Sequence, residues 1–475
     1  VVQLFLLHPF IMLLGMAAQY AGLIVLLILM GFWCFRSGLG SVRSPLRQLG
    51  WCFIVAWSVW PLCNALAHLF PLTQSSVGAL PTLADLVAAK EGQATFAHVG
   101  RRILTSLVPT GVLLSGVALV GFSYAPTAPA LQGKPAASVL AFPLQTWIVR
   151  LGVALGLVGI YLVWQHLTGF DVRTMFRELP NMMFPDGRYR VLGFSGHPLT
   201  TAGMYLAMFG WCSFFLVSTF RRDQVGLHSL GRAAQFSLGL GAVISAFAVF
   251  ASGGRTALAI ALASLLPLGV LALRAAQAGG ATPRRLPWAW LAPALAGVVA
   301  LLAYVLGSSP IALRFVEFFA QLGQGQLPNR VVFWKVHLQM FGDAPLWGQG
   351  LAPMTSGLRR LYYDGMGYGD FPEKYNAHNM IFETLASVGI VGTVVVAECL
   401  RRVFIILRTL ARGGGVVGQG FFAAFAFAVA LNALHGLTQN VFYDSGVMMV
   451  YLMFFWVLIW QVVANADAAK ETTNG

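Results

Sequence analysis

Apolar runs separated by short, arginine-bearing gaps dominate the chain. Runs of about 20 residues, long enough to cross a bilayer as a helix, fall near 49–70, 103–124, 143–165, 198–220, 233–252, 255–274, 288–307, 379–400, 416–435 and 442–463. Residues 1–35 are apolar almost throughout. As one helix they would measure roughly 50 Å, against a hydrocarbon core of about 30 Å. Two short or tilted helices turning near Gln19–Gly22 fit better, and the run reads as membrane-embedded rather than as a signal peptide. The pattern predicts an all-α integral membrane protein with about twelve transmembrane helices, or eleven if the opening is one span. It divides the chain into an N-terminal transmembrane bundle (1–307), a large loop containing short helices (308–378), and C-terminal transmembrane helices with a polar tail (379–475).

Composition excludes a soluble domain. The chain is 58% hydrophobic and only 10% charged, with a mean hydropathy of +0.74, so most of it must be solvated by lipid. The formal charge of +14, from 30 Lys+Arg against 16 Asp+Glu, could suggest a nucleic-acid partner. In a membrane protein the positive-inside bias accounts for such an excess, so no nucleic acid is expected. The short gaps around Arg36/Arg43/Arg47, Arg221/Arg222/Arg232, Arg274/Arg284/Arg285 and Arg401/Arg402/Arg408/Arg412 all fall on one side when spans are counted, the cytoplasmic side by that rule. The opposite side receives 71–102, 166–197, the Ser252-Gly253-Gly254-Arg255 turn, 308–378 and 436–441, where any chemistry belongs. The cysteines Cys34, Cys52, Cys63, Cys212 and Cys399 lie in apolar runs without a CxxC pair, which argues against a disulfide framework and a zinc site.

Charges deep in a span are costly and usually functional. Arg150 can snorkel from the end of its span, and Glu398 pairs at helical spacing with Arg401 and Arg402. Neither marks a path through the bilayer. Internal repeats and matched Gly/Pro-broken spans, expected of many transporters, are not evident.

Three outer features carry candidate chemistry. In "FASGGRTALAIAL" (250–262) a turn holds little beyond Ser252, two glycines and Arg255. Arginine is disfavoured on this side, and neighbouring glycines leave N–H groups and the guanidinium open to an anion; the bland alternative is a tight turn with a snorkelling arginine. In 323–351, Asn329 and Arg330 open an amphipathic helix whose stripe of Val331, Trp334, Leu338 and Phe341 suits a membrane surface. A cation is unfavourable at a helix N-terminus, so Arg330 should have a partner, either a structural carboxylate or a substrate phosphate. Gly348-Gln349-Gly350 then makes a sharp exit. In "EKYNAHNMIFETLASVGIVG" (373–392), His378 and Asn379 stand at the start of a span. A helix N-terminus disfavours imidazolium, and a neutral imidazole is what a general base requires; a lone histidine can equally be structural.

Weaker features remain. His197-Pro198 shapes an acceptor site or simply caps a helix. Asp364, Asp370 and Glu373 stand among aromatics and glycines, but their spacing matches no metal template. His435 and Asn440 offer no case beyond capping.

The SGGR turn between two spans, the loop with NR-x(3)-W, and HN-x(3)-E-x(5)-G-x(2)-G opening the next span together resemble the superfamily of O-antigen ligases and polymerases. The resemblance covers the whole topology and is most similar to the ligases. It implies a multi-pass protein of the bacterial inner membrane, with the 308–378 loop and the active site in the periplasm. The implied activity is lipopolysaccharide biosynthesis: a glycosyltransferase moving O-antigen from undecaprenyl diphosphate to a sugar hydroxyl of lipid A–core. It implies catalytic roles for Arg255, Arg330 and His378, and structural ones for Asn379, Gly389 and Gly392.

The residue chemistry is compatible. A departing diphosphate gathers negative charge, which something cationic must meet. The first outer loop offers only Asp85 and Glu91, without an acidic pair for a metal. Two guanidinium groups can serve instead, with His378 deprotonating the acceptor hydroxyl. The expected reaction is a metal-independent, cofactor-free, inverting displacement between two lipid-anchored partners. A polymerase or a protein O-oligosaccharyltransferase would use the same donor. A polyprenyl-lipid flippase is the rival from another class, and would line a path through the bilayer with polar groups.

Overall fold

The computed structural model describes residues 144–175, 189–219, 230–277, 329–349, 356–369, 376–413 and 415–439 almost continuously, with scattered residues at 52–63, 320–323 and 447–457. Among the described residues the regular elements are helical. They run α1 (Leu144–Thr168), a 3-10 turn (Val172–Met175), α2 (Pro198–Ser218), α3 (Arg232–Ala251), α4 (Arg255–Gln277), α5 (Asn329–Asp343), α6 (Ser356–Gly365), α7 (Met380–Gly413) and α8 (Gly415–Gly436). Six of them, α1 to α4, α7 and α8, are long and apolar enough to cross a membrane, and they fall on runs that the hydropathy pattern picks out. This is a multi-pass membrane protein. The expected spans in 1–35 and near 103–124 and 288–307 lie outside the described residues, as do most of 49–70 and 442–463. So do the basic gaps at Arg36–Arg47 and Arg284/Arg285.

The core gathers around α2, which packs against α3, α4 and α8, while α1 packs on α3. Trp211 of α2 is fully buried. Its ring stacks on Phe215 and Phe454 and meets Trp147 and Phe421 edge-on, with centroids 4.9–5.7 Å apart, favourable aromatic geometry. The outward faces of α1 and α4 expose Ile160, Trp164, Leu167, Leu266 and Leu273. In a multi-pass protein such faces are solvated by lipid.

Helix α7 departs from expectation. A simple span over 379–400 was predicted, whereas the helix runs to Gly413 and is broken at Gly389, where φ is +62°. A Cβ on Gly389 would lie 2.3 Å from the Leu346 carbonyl oxygen. The break frees backbone N–H groups, which a membrane helix must satisfy internally. Here Ile390 and Val391 donate to the carbonyls of Pro345 and Leu346 at 2.8 and 3.1 Å, and Gln349 donates to Ala386 at 2.8 Å. Gly348 and Gln349 of the expected sharp exit form the other half of this joint, and Gly350 lies outside the described residues. Gly348 has φ +68°, and a Cβ there would strike the Ser387 backbone at 2.5 Å.

Helix α5 therefore docks on the first turns of α7. Its expected stripe is only half-buried at Val331, Trp334 and Phe341, and exposed at Leu338. The packed face is Val332, Phe333, Val336, His337 and Met340. Tyr362 of α6 completes this small core, donating to Asp343 Oδ2 at 2.7 Å and accepting from Gln349 Nε2 at 3.0 Å.

Candidate active site at four helix starts

The turn between α3 and α4 is as tight as the sequence suggests. Ser252 caps α3, Gly253 takes a left-handed conformation, and Arg255 is the first residue of α4. The turn is stitched to the chain entering α2. Val191 N–H donates to Ala251 O at 3.0 Å, and Arg190 Nε donates to Ser252 O at 3.1 Å. That entering chain is clamped in turn from the end of α1. Gln165 Oε1 accepts from Leu192 and Gly193 N–H, both at 2.9 Å, while its Nε2 donates to Asp171 Oδ2 at 2.8 Å. Asp171 also accepts from Arg173 Nε at 2.9 Å, and the Arg173 guanidinium donates to Ser195 O. His197 then caps α2, its Nδ1 accepting from Leu199 N–H at 3.2 Å. The capping alternative for His197 is thus realised.

Arg330, second in α5, donates through NH1 to the carbonyl oxygen of Thr438, just past α8. Its protein partner among the described residues is thus a backbone dipole rather than the carboxylate of the structural alternative. Burial, with the like charge of Arg255 added, pulls its pKa below the usual arginine value. Arg255 and Arg330 therefore stand within electrostatic reach although 75 positions apart.

His378 precedes α7 and has φ +47°; among the described residues it is the one non-glycine in the left-handed region. Such a conformation is uncommon and is sustained only by its surroundings. Those surroundings are specific. His378 Nδ1 lies 2.7 Å from Gln439 Oε1, and its ring tilts against Phe333 with centroids 5.6 Å apart. Asn379 caps α7, its Oδ1 accepting from Ile381 and Phe382 N–H at 2.9 and 3.2 Å and its Nδ2 donating to Leu437 O at 2.8 Å. Burial, helped by Arg330 and His197, drives the His378 pKa down to about 4, against opposing contributions from the Gln439 hydrogen bond and from Glu383. The imidazole is accordingly uncharged at neutral pH.

Electrostatic reach links Arg255 to Arg330, Arg330 to His378, and His378 to His197. These four residues stand at the N-terminal starts of α4, α5, α7 and α2. A helix start carries positive partial charge and unpaired N–H groups, and two guanidinium groups are added to it here. Two like charges held within electrostatic reach of each other at helix starts form a site that favours an anion.

Sequence reasoning missed some of the supporting groups. Glu383, in the first turn of α7, is buried; Oε2 accepts from Ala377 N–H at 2.8 Å and lies 3.3 Å from His337 Nε2 without hydrogen-bond alignment. The signal was present, since an acid four residues into a membrane helix is unusual. Gln439 carries no such signal. His435, expected at most to cap, is buried near Arg330, with Nδ1 lacking a hydrogen-bond partner among the described residues. Of the acidic residues considered for metal, Asp364 is exposed and 3.8 Å from Arg360, while Asp370 and Glu373 lie outside the described residues, as does Asn440, considered only as a cap.

A comparison with curated proteins gives no match. The family model described as O-antigen ligase matches residues 240–397, a stretch holding Arg255, Arg330, His378 and the break in α7 at Gly389. Over these residues, about a third of its length, the chain is similar to the O-antigen ligase family.

Proposed function

We propose that the protein transfers O-antigen polysaccharide from undecaprenyl diphosphate to a sugar hydroxyl of lipid A–core, at the periplasmic face of the inner membrane. The observation that carries this reading is the meeting of Arg255, Arg330 and an uncharged His378 within the family domain. His378 takes the proton of the acceptor hydroxyl as its oxygen attacks the anomeric carbon. The bond from that carbon to the diphosphate oxygen breaks, and its electron pair leaves with undecaprenyl diphosphate. Arg255 and Arg330 meet the charge that grows on the diphosphate, the task a divalent metal performs in many related reactions. One displacement inverts the anomeric centre.

The test is purified protein in excess chelator, supplied with lipid-diphosphate-linked glycan and lipid A–core, with products sized by gel. A ladder on lipid A–core supports the reading. Growth of glycan on the donor alone assigns a polymerase, and activity only on restoring magnesium or manganese removes the metal-independent mechanism.

A further inference from the structure

Three successive residues beyond α8 each hold a different part of the site. Leu437 O accepts from Asn379, Thr438 O accepts from Arg330, and Gln439 Oε1 contacts His378 Nδ1. The first two contacts fix position alone. The third bears on chemistry, because an amide oxygen only accepts a hydrogen bond. The Nδ1 facing it must therefore carry the proton, which makes Nε2 the unprotonated, basic nitrogen. From this geometry we infer that Gln439 is a positioning residue for the transfer: it holds His378 as the Nδ1–H tautomer and directs Nε2 at the acceptor hydroxyl. This rests on His378 being the base in the function proposed above.

A carboxylate in this place would orient the ring equally well, as in serine hydrolases, with a different electrostatic result. It would favour imidazolium and offset the positive field of Arg255 and Arg330. The amide orients the ring with only its hydrogen bond favouring imidazolium, and it brings no net charge to offset that field. The charged and titratable groups facing His378 are Arg330 from α5, His197 at the start of α2 and Glu383 from α7, with Arg255 reaching it through Arg330. Phe333 closes one side of the ring.

The experiment compares full-length wild type with Gln439→Glu and Gln439→Leu, both of similar size to glutamine. Diethyl pyrocarbonate modification of the His378 peptide, read by mass spectrometry against pH, reports ring protonation without relying on activity. Transfer from the lipid-diphosphate glycan to lipid A–core reports kcat/KM against pH. Gln439→Glu is expected to move the His378 modification curve upward by about one to three pH units, with the acid limb of kcat/KM moving alongside it. Gln439→Leu is expected to lower kcat about 10–100-fold with the donor KM unchanged. An unmoved modification curve in folded Gln439→Glu protein, or full kcat in Gln439→Leu, overturns the positioning role. A modification curve that moves while the kcat/KM limb stays put keeps the contact and removes His378 as the base, so the two claims fail separately.

Discussion

Glu383 and His337 lie 3.3 Å apart between α7 and α5, both almost fully buried. Glu383 lies in the first turn of α7, five positions after His378, and His337 faces it from α5. A buried acid left without its partner is costly, and breaking such a pair typically destabilises by about 3–5 kcal/mol. His337→Ala or Glu383→Ala should therefore lower the melting temperature of detergent-purified protein well beyond surface variants such as Arg360→Ala. Equal melting temperatures would show that the pair contributes no stability.

His378→Ala should reduce transfer by about 10²–10⁴-fold, the usual contribution of a general base, while expression and thermal stability stay near wild type. Product formation on the ligation gel is the measurement. Persistent activity would remove the imidazole from the chemistry.

Arg255→Ala and Arg330→Ala should each lower turnover by about 10²–10³-fold, as when one preorganised charge is removed from a developing anion. Lysine at either place should restore part of this, since a point charge lacks the planar fork. Full rescue by lysine would mean that charge alone is read, and an unaffected alanine variant would exclude that arginine.

The pH dependence has a definite sign. His378 works as a base only when neutral, and its pKa is pushed down to about 4. The acid limb of kcat/KM, which reports the free enzyme, should therefore be flat through neutrality and fall only below about pH 5. Bound diphosphate favours imidazolium, so the limb in kcat should lie higher than that in kcat/KM. A kcat/KM limb between pH 6 and 7 would contradict the burial of this ring.

Much of this protein is legible from hydropathy, because lipid imposes one periodicity and one length. The runs at 198–220 and 233–252 became α2 and α3 with shifts of two residues or fewer. The candidates were legible because they break a rule: the topology expected from hydropathy puts Arg255 on the side that disfavours arginine, and Arg330 opposes a helix dipole. The break at Gly389 was not legible. Val388 and Ile390 continue the apolar pattern across it, and the carbonyls that satisfy the freed N–H groups come from 345–346, a tertiary partner. His337 hid the buried face of α5 in the same way, by placing a polar residue where the apolar pattern would need a hydrophobic one. Gln439 hid for another reason: it acts through one hydrogen bond to a residue 61 positions away, which local spacing does not encode.

The glycine pair at 348 and 389 has a bearing on how the protein can be recombined. Each glycine makes room for the backbone of the other's segment, so neither segment is interchangeable alone. A chimera that takes the segment ending at Gly348 from one homologue and its following membrane helix from another inherits half a seam. Crossovers placed before residue 329 or after 392 keep it whole. Specificity elements grafted from relatives should travel in that larger cassette.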